Sequence, residues 1–263
     1  MHRMNRHAYV PADTVWHLIS LRPQGQHDTL RSAASRAGAR TVALSPWRLA
    51  LRNDSITRDS LVEATQCDRL VFTSPAAAEA AARMLPLGTL RMGTVVAVGE
   101  GTARVLRKHG ATDVQAPTRM DSEGLLALPC MQSLQGLRVA LITAPGGRGM
   151  ITAQVRERGA ELLRVDVYER VPLPVSAASI ARLQALPEPA VLAVSSGEAL
   201  ETVLPQLPPA LQQRWRQTPV VTASVRLTAL AHTLGFQRVS TAAGPLPAQL
   251  VEAASAAVHP SPR

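Results

Sequence analysis

The sequence predicts an α/β protein built from two related parallel-sheet domains. Short β-rich apolar runs alternate with Ala/Leu/Arg stretches of helical period, the order expected when parallel strands are joined by crossover helices. The same sequence of strand, small polar turn and helix recurs at separated places in the chain. Proline-bearing segments follow two of these units, where crossings between domains belong.

Strands are expected at 15–21, 69–73, 94–98, 138–143, 191–194 and 219–222, each followed by a helix candidate. The run LVFTSPAAAEAAARMLP from Leu70 resembles VLAVSSGEALETVLPQLP from Val191, and TVVAVGEGTARVLRKHGATDV from Thr94 resembles PVVTASVRLTALAHTLGFQRV from Pro219. A second pair begins at Val15 and Arg138, with Gly38-Ala39 matching Gly159-Ala160. The order is therefore A, B, A′, B′. Two sequential domains would produce it, and so would a first unit that folds with the last and leaves the middle as an insertion. Residues 44–53 and 167–174 are the expected crossings, and the stretches before Asp13 and after Val258 are expected to be disordered tails.

Composition narrows the function classes. With 263 residues, 46% hydrophobic and 18% charged, the chain can bury a sizeable core. No window approaches the roughly 18 apolar residues of a membrane helix, and the polar start lacks the apolar run of a secretory signal, so a cytoplasmic protein without membrane partners is expected. Cys67 and Cys130 stand far apart with no CxxC spacing, which suggests neither a disulfide framework nor a zinc site. The net charge of +9 is almost wholly arginine, Lys108 being the one lysine, and it fits an anionic partner. Biased base composition explains the same arginines equally well. Aromatic residues are only 3%, none interleaved with a basic run, and no helix-turn-helix is visible, so nucleic acid is not the expected partner.

In open parallel sheets, ligands collect beyond the carboxyl ends of strands, where helix N-termini present unpaired N–H groups. Six such turns are found: Arg22-Pro23-Gln24-Gly25, Thr73-Ser74-Pro75, Gly99-Glu100-Gly101-Thr102, Ala144-Pro145-Gly146-Gly147-Arg148, Ser195-Ser196-Gly197 and Ala223-Ser224. Each alone reads as well as a helix cap. Six together, with Arg22, Arg148 and Arg226 nearby, suit a ligand with several carboxylates. The glycine pattern at Gly99 continues to Arg104 instead of Gly or Ala, and Gly146-Gly147-Arg148 lacks the following Gly-Lys-Ser/Thr, so neither is a nucleotide loop. His17, His109 and His232 form no metal-ligand pattern, and no Ser-His-Asp order or carboxylate pair stands out.

Several of these segments resemble uroporphyrinogen-III synthases: Val71-Phe72-Thr73-Ser74-Pro75, Val96-Ala97-Val98-Gly99-Glu100-Gly101-Thr102-Ala103, Asp121-Ser122-Glu123-Gly124-Leu125-Leu126, Gly146-Gly147-Arg148, Arg158-Gly159-Ala160 and Val167-Tyr168-Glu169-Arg170. The similarity runs in order from about Val15 to Val258. It implies two flavodoxin-like parallel-sheet domains joined by a two-stranded connection. One is discontinuous, from 14–46 plus 172–258, and the other spans 51–166. The implied substrate is hydroxymethylbilane, an open tetrapyrrole with eight carboxylates, cyclised without a cofactor to uroporphyrinogen III. Ring D is inverted through a spiro intermediate; unaided closure yields the type I isomer. The resemblance further implies a monomer in transient contact with hydroxymethylbilane synthase.

Tyr168 matches the family tyrosine that assists loss of the terminal hydroxyl. Thr73, Ser74, Gly99, Thr102, Gly147, Arg148, Ser195 and Ser196 match ligand-side turns. Ser224 and Arg226 belong to this set although the turn Thr222-Ala223-Ser224-Val225-Arg226 departs from the Gly-Pro-Thr-Thr form of some members. A linker residue packed between domains is the competing role for Tyr168. A small-ligand sensor on the same duplicated scaffold is the competing function.

Overall fold

The computed structural model describes residues 15–88, 93–119, 121–146 and 149–259. Of the expected tails at 1–13 and 259–263, all but His259 lie outside the described residues. The chain divides into two compact units, one drawn from Met1–Arg48 and Pro172–Arg263, the other from Leu49–Val171.

The first unit opens with β1 (Trp16–Ser20), α1 (Asp28–Arg36) and β2 (Ala39–Ala43). A first crossing strand, β3 (Trp47–Leu51), leads into α2 (Ser55–Ala64), β4 (Arg69–Phe72), α3 (Pro75–Met84), β5 (Thr94–Ala97), α4 (Glu100–Lys108) and α5 (Ser122–Leu126). Then come β6 (Arg138–Thr143), α6 (Met150–Glu157), β7 (Glu161–Asp166) and the return strand β8 (Tyr168–Pro172). The chain ends through α7 (Ala177–Gln184), β9 (Ala190–Val194), α8 (Gly197–Val203), α9 (Pro209–Gln217), β10 (Val220–Thr222), α10 (Val225–Thr233), β11 (Val239–Thr241) and α11 (Pro247–Val258).

Unit 1 holds a five-stranded sheet in the order β11-β10-β9-β1-β2, and unit 2 a four-stranded sheet in the order β5-β4-β6-β7. All the pairings within both sheets are parallel, for example Leu18 against Thr41 and Val191, and Val71 against Val96 and Leu141. β3 and β8 pair with each other as a separate two-stranded sheet, the connection where the chain passes between units. The fold is thus a pair of flavodoxin-like parallel sheets with a two-stranded connection and one discontinuous unit.

Alternation along the strands divides each core between the two sheet faces. In unit 2, Leu70, Phe72, Val95, Ala97, Ala140 and Ile142 pack on one face under α2, α3 and α4, while Val71, Val96, Val139 and Leu141 pack on the other with Leu125, Ile151 and Val155. In unit 1, Trp16, Leu18, Val191 and Ala193 face α1 and α11 through Leu30, Ala34, Leu250 and Ala254. The repeated Gly-Ala pairs also have a structural cause. Gly38 (φ +74°) and Gly159 (φ +78°) lie just past the ends of α1 and α6 in the left-handed conformation that closes a helix and turns the chain into the next strand.

Candidate functional site

In unit 2 the chain runs from β4 outward to β5, then returns to the other side of β4 for β6 and β7. The crossovers therefore leave β4 and β6 in opposite directions. At such a switch point the loops diverge beyond the carboxyl ends and open a crevice. A cavity lies there, lined among others by Thr73, Ser74, Ser122, Thr143, Arg164 and Tyr168.

Each wall of the cavity follows from a local signal. Ser74 is extended and Pro75 occupies the first turn of α3, so the Ser74 hydroxyl accepts the Ala77 N–H at 3.0 Å. Its oxygen also lies 3.3 Å from the Tyr168 hydroxyl, either group donating. Tyr168 is the first residue of β8; its ring is buried with Phe72, Ala97 and Ile142, and the residue lines the cavity together with Ser74. Thr73 Oγ1 donates to Thr143 Oγ1 at 2.8 Å, joining the ends of the two strands. Gly146, at φ +89°, turns the chain out of β6 in a conformation that side chains resist. The Arg164 guanidinium donates to Ala144 O at 2.8 Å and to Asp166 Oδ1 at 3.0 Å, fixing the root of that turn. Ser122 opens α5 beside Asp121. Burial pushes the Asp121 carboxyl up, but the Gly124 N–H and the Arg119 guanidinium outweigh it and hold it below the ordinary range.

Unit 1 has the same topology. β1 leads outward to β2, and the chain later returns on the other side of β1 for β9, so its switch point lies between β1 and β9. Ser195 and Ser196 follow β9, and the Ser196 hydroxyl accepts the Ala199 N–H. Ser224 follows β10 and caps α10 through Leu227 N–H, with Arg226 exposed in the first turn.

Of the residues expected from sequence, Thr73, Ser74 and Tyr168 line one cavity. Gly99 and Thr102 stand at the start of α4, both buried, and do not line it. Ser195, Ser196 and Ser224 stand beyond strand ends of unit 1, and Arg226 lies in the first turn of α10. Gly147 and Arg148 lie outside the described residues. Sequence reasoning did not single out Thr143 or Arg164, and it named Ser122 only within a segment that carries the family resemblance. Thr143 had a usable signal, since it ends the A′ strand where Ser20 ends the A strand. Among the described residues no cluster of three or more His, Cys, Asp or Glu could hold a metal ion.

One buried polar group in unit 1 also escaped the sequence. His27, which precedes α1, is buried with Nδ1 2.9 Å from Ser20 Oγ and Nε2 2.9 Å from Ser45 Oγ. Its pKa is depressed by burial, then by Arg31 and Arg22, against a smaller opposing pull from Asp28. Unfolding releases this ring to protonate near pH 6.5. Below that pH the unfolded chain binds the extra proton, so the contribution to stability is complete above pH 6.5 and is lost as pH falls. The expected slope is at most about 1.4 kcal/mol per pH unit. Denaturation midpoints measured from pH 7 to 5 should therefore fall more steeply for the natural sequence than for His27→Gln; equal slopes would contradict this.

Comparison with known proteins connects this geometry to a family. The family model described as uroporphyrinogen-III synthase HemD matches residues 28–252. The uroporphyrinogen-III synthase of Escherichia coli (strain K12) is 30% identical over 154 residues, 58% of this chain and 63% of that protein. The Salmonella typhimurium (strain LT2) uroporphyrinogen-III synthase is 30% identical over 148 residues, 56% of this chain and 60% of that protein. The match thus spans somewhat under two thirds of these curated relatives' length. A crystal structure of uroporphyrinogen-III synthetase from Helicobacter pylori 26695 superposes with a TM-score of 0.61, covering 90% of this chain and 97% of that one at 14% identity, a likeness of fold. With the family match covering most of the sequence, in the order of its interleaved units, the chain belongs to the uroporphyrinogen-III synthase family.

Proposed function

We propose that this protein cyclises hydroxymethylbilane to uroporphyrinogen III with inversion of ring D. The observation that carries the reading is the placement of the Tyr168 hydroxyl beside Ser74 in a cavity at the switch point of unit 2. A tyrosine there can donate a hydrogen bond to the departing terminal hydroxyl of the substrate. Ser74, 3.3 Å from the phenol oxygen, caps α3 and so sets the phenol beside the N-terminal dipole of that helix. Loss of that hydroxyl leaves a cationic chain, which the substituted carbon of ring D attacks to form the spiro intermediate before fragmentation and reclosure. Catalysis is then chiefly the holding of a flexible chain in one near-attack geometry, so a strong acid–base pair is not required. Arginines and helix N-termini at strand ends suit the substrate's carboxylates. The same proposal has the enzyme act as a cytoplasmic monomer, in transient contact with hydroxymethylbilane synthase. Among the described residues no helix is long and apolar enough to cross a membrane.

The test supplies fresh hydroxymethylbilane to purified protein without added metal, nucleotide or flavin and resolves the product isomers. The type III isomer is expected to predominate. Persistent type I product would overturn the assignment and favour a ligand sensor on the same scaffold.

A further inference from the structure

We propose that unit 1 carries its own carboxylate-binding site, with the Arg22 guanidinium as the group that grips the ligand. Arg22 lies two residues beyond the end of β1, at the unit 1 switch point, and Ser20-Leu21-Arg22 occupies the place that Thr143-Ala144-Pro145 occupies at the cavity of unit 2. A crevice-forming position in one repeat thus has a cationic counterpart in the other.

The side chain is left incompletely bonded. Nε is buried with no hydrogen-bond partner, and the side chain's described hydrogen bond, from Nη1 to Thr29 Oγ1, is long at 3.4 Å. Burial lowers the proton affinity of the guanidinium, and no acidic group among the described residues offsets it. A partly buried cation without a carboxylate partner is costly, because it gives up hydration and gains little in return. The residue as a whole is only partly buried, so a ligand can reach it. The described bond of Nη1 is exposed, so the end of the guanidinium that carries the two Nη groups is what a ligand meets, and that planar pair matches one carboxylate with two parallel hydrogen bonds.

The surrounding turn is built to hold this arginine still. His27 bonds Ser20 at the end of β1 and Ser45 beyond β2, so the loop is pinned at its far end to both strands. Gln24 N donates to Trp47 O at 2.9 Å and Gln26 N to Pro23 O at 3.0 Å, closing the turn between. With its ring committed to the two serines, His27 makes no side-chain bond to the first turn of α1, whose nine residues point their positive end toward the same loop. A pinned backbone lowers the entropy lost when a ligand is gripped.

The ligand class is a carboxylate. That it is one of the eight on a tetrapyrrole rests on the synthase reading above. The test compares the natural protein with Arg22→Gln and Arg22→Lys in hydroxymethylbilane kinetics and thermal denaturation. Loss of one charge-assisted bidentate contact is expected to raise KM about tenfold in Arg22→Gln with kcat changed less than about threefold. Arg22→Lys should fall between. The denaturation midpoint of Arg22→Gln should stay level or rise, since an uncompensated buried charge has been removed. An unchanged KM would overturn the proposal whatever the midpoint. A raised KM accompanied by a lowered midpoint would also overturn it, because Arg22 would then act through the fold. Should the natural protein yield only the type I isomer, the synthase reading fails separately. The site is then judged with uroporphyrin III as an eight-carboxylate probe: a midpoint rise in the natural protein that Arg22→Gln loses upholds it, and an equal or absent rise in both overturns it.

Discussion

Tyr168→Phe is expected to form the type III product about 10- to 100-fold more slowly than the natural protein while keeping its fold. The terminal hydroxyl of the substrate can leave without an enzyme, so a single donor contributes on the order of 1.4 to 3 kcal/mol of barrier lowering. The structural share of the same hydroxyl is small. Its distance of 3.3 Å from Ser74 Oγ is long for a bond between hydroxyls, and Ser74 keeps its bond from Ala77 N–H when the phenol is removed. A stability loss of no more than about 1 kcal/mol follows. Rates of type III formation measured beside a urea midpoint separate the roles: natural turnover would remove Tyr168 from the mechanism, and a midpoint loss proportionate to the activity loss would make it a packing residue.

Phe72→Ala should lower the stability of unit 2 by about 3 to 5 kcal/mol, the usual cost of emptying a buried aromatic site. Phe72 is 1% exposed, at the last position of β4, and packs with Leu70, Ala97, Ile142 and Tyr168. The residues after it are Thr73 and Ser74, so the cavity it leaves undermines both the Thr73–Thr143 bond and the packing of the Tyr168 ring. Phe72→Leu refills most of the volume and should cost less than about 1.5 kcal/mol. Chemical denaturation of both variants checks the pair, and similar losses for the two would show that volume is not what matters at this position.

The six expected strands, for example 138–143 and 219–222, coincide with β6 and β10 and the others to within a residue or two, because fully buried parallel strands read as continuous β-branched runs bounded by turns. The repeat A, B, A′, B′ was legible for the same reason: β1 and β6 hold equivalent places in their sheets, as do β9 and β4. Whether the units interleave was not legible from periodicity. The partner of Leu18 is Val191, and nothing in a local pattern specifies a neighbour so distant. The strand-end residues divide along the same line. The turns of Ser74, Ser196 and Ser224 were legible because strand, serine and helix are adjacent in sequence, and each hydroxyl caps a helix. His27 was missed because Ser45, one of the two serines that use it, lies 18 residues away, and Arg164 because its partner Ala144 O is 20 residues away. A buried histidine and an exposed one look alike until the strands are paired.

The discontinuity of unit 1 also sets an order of events at the ribosome. β1 and β2 emerge first, yet β9, which completes the centre of their sheet, follows only after the roughly 120 residues of unit 2 have been translated. At ordinary elongation rates that interval is about 6 to 25 s, long compared with the folding time of a small domain. The nascent chain therefore passes through a period in which the middle unit can close while the edges of the first two strands wait unpaired, and slower decoding of the segment 49–171 lengthens their exposure to chaperones and to aggregation.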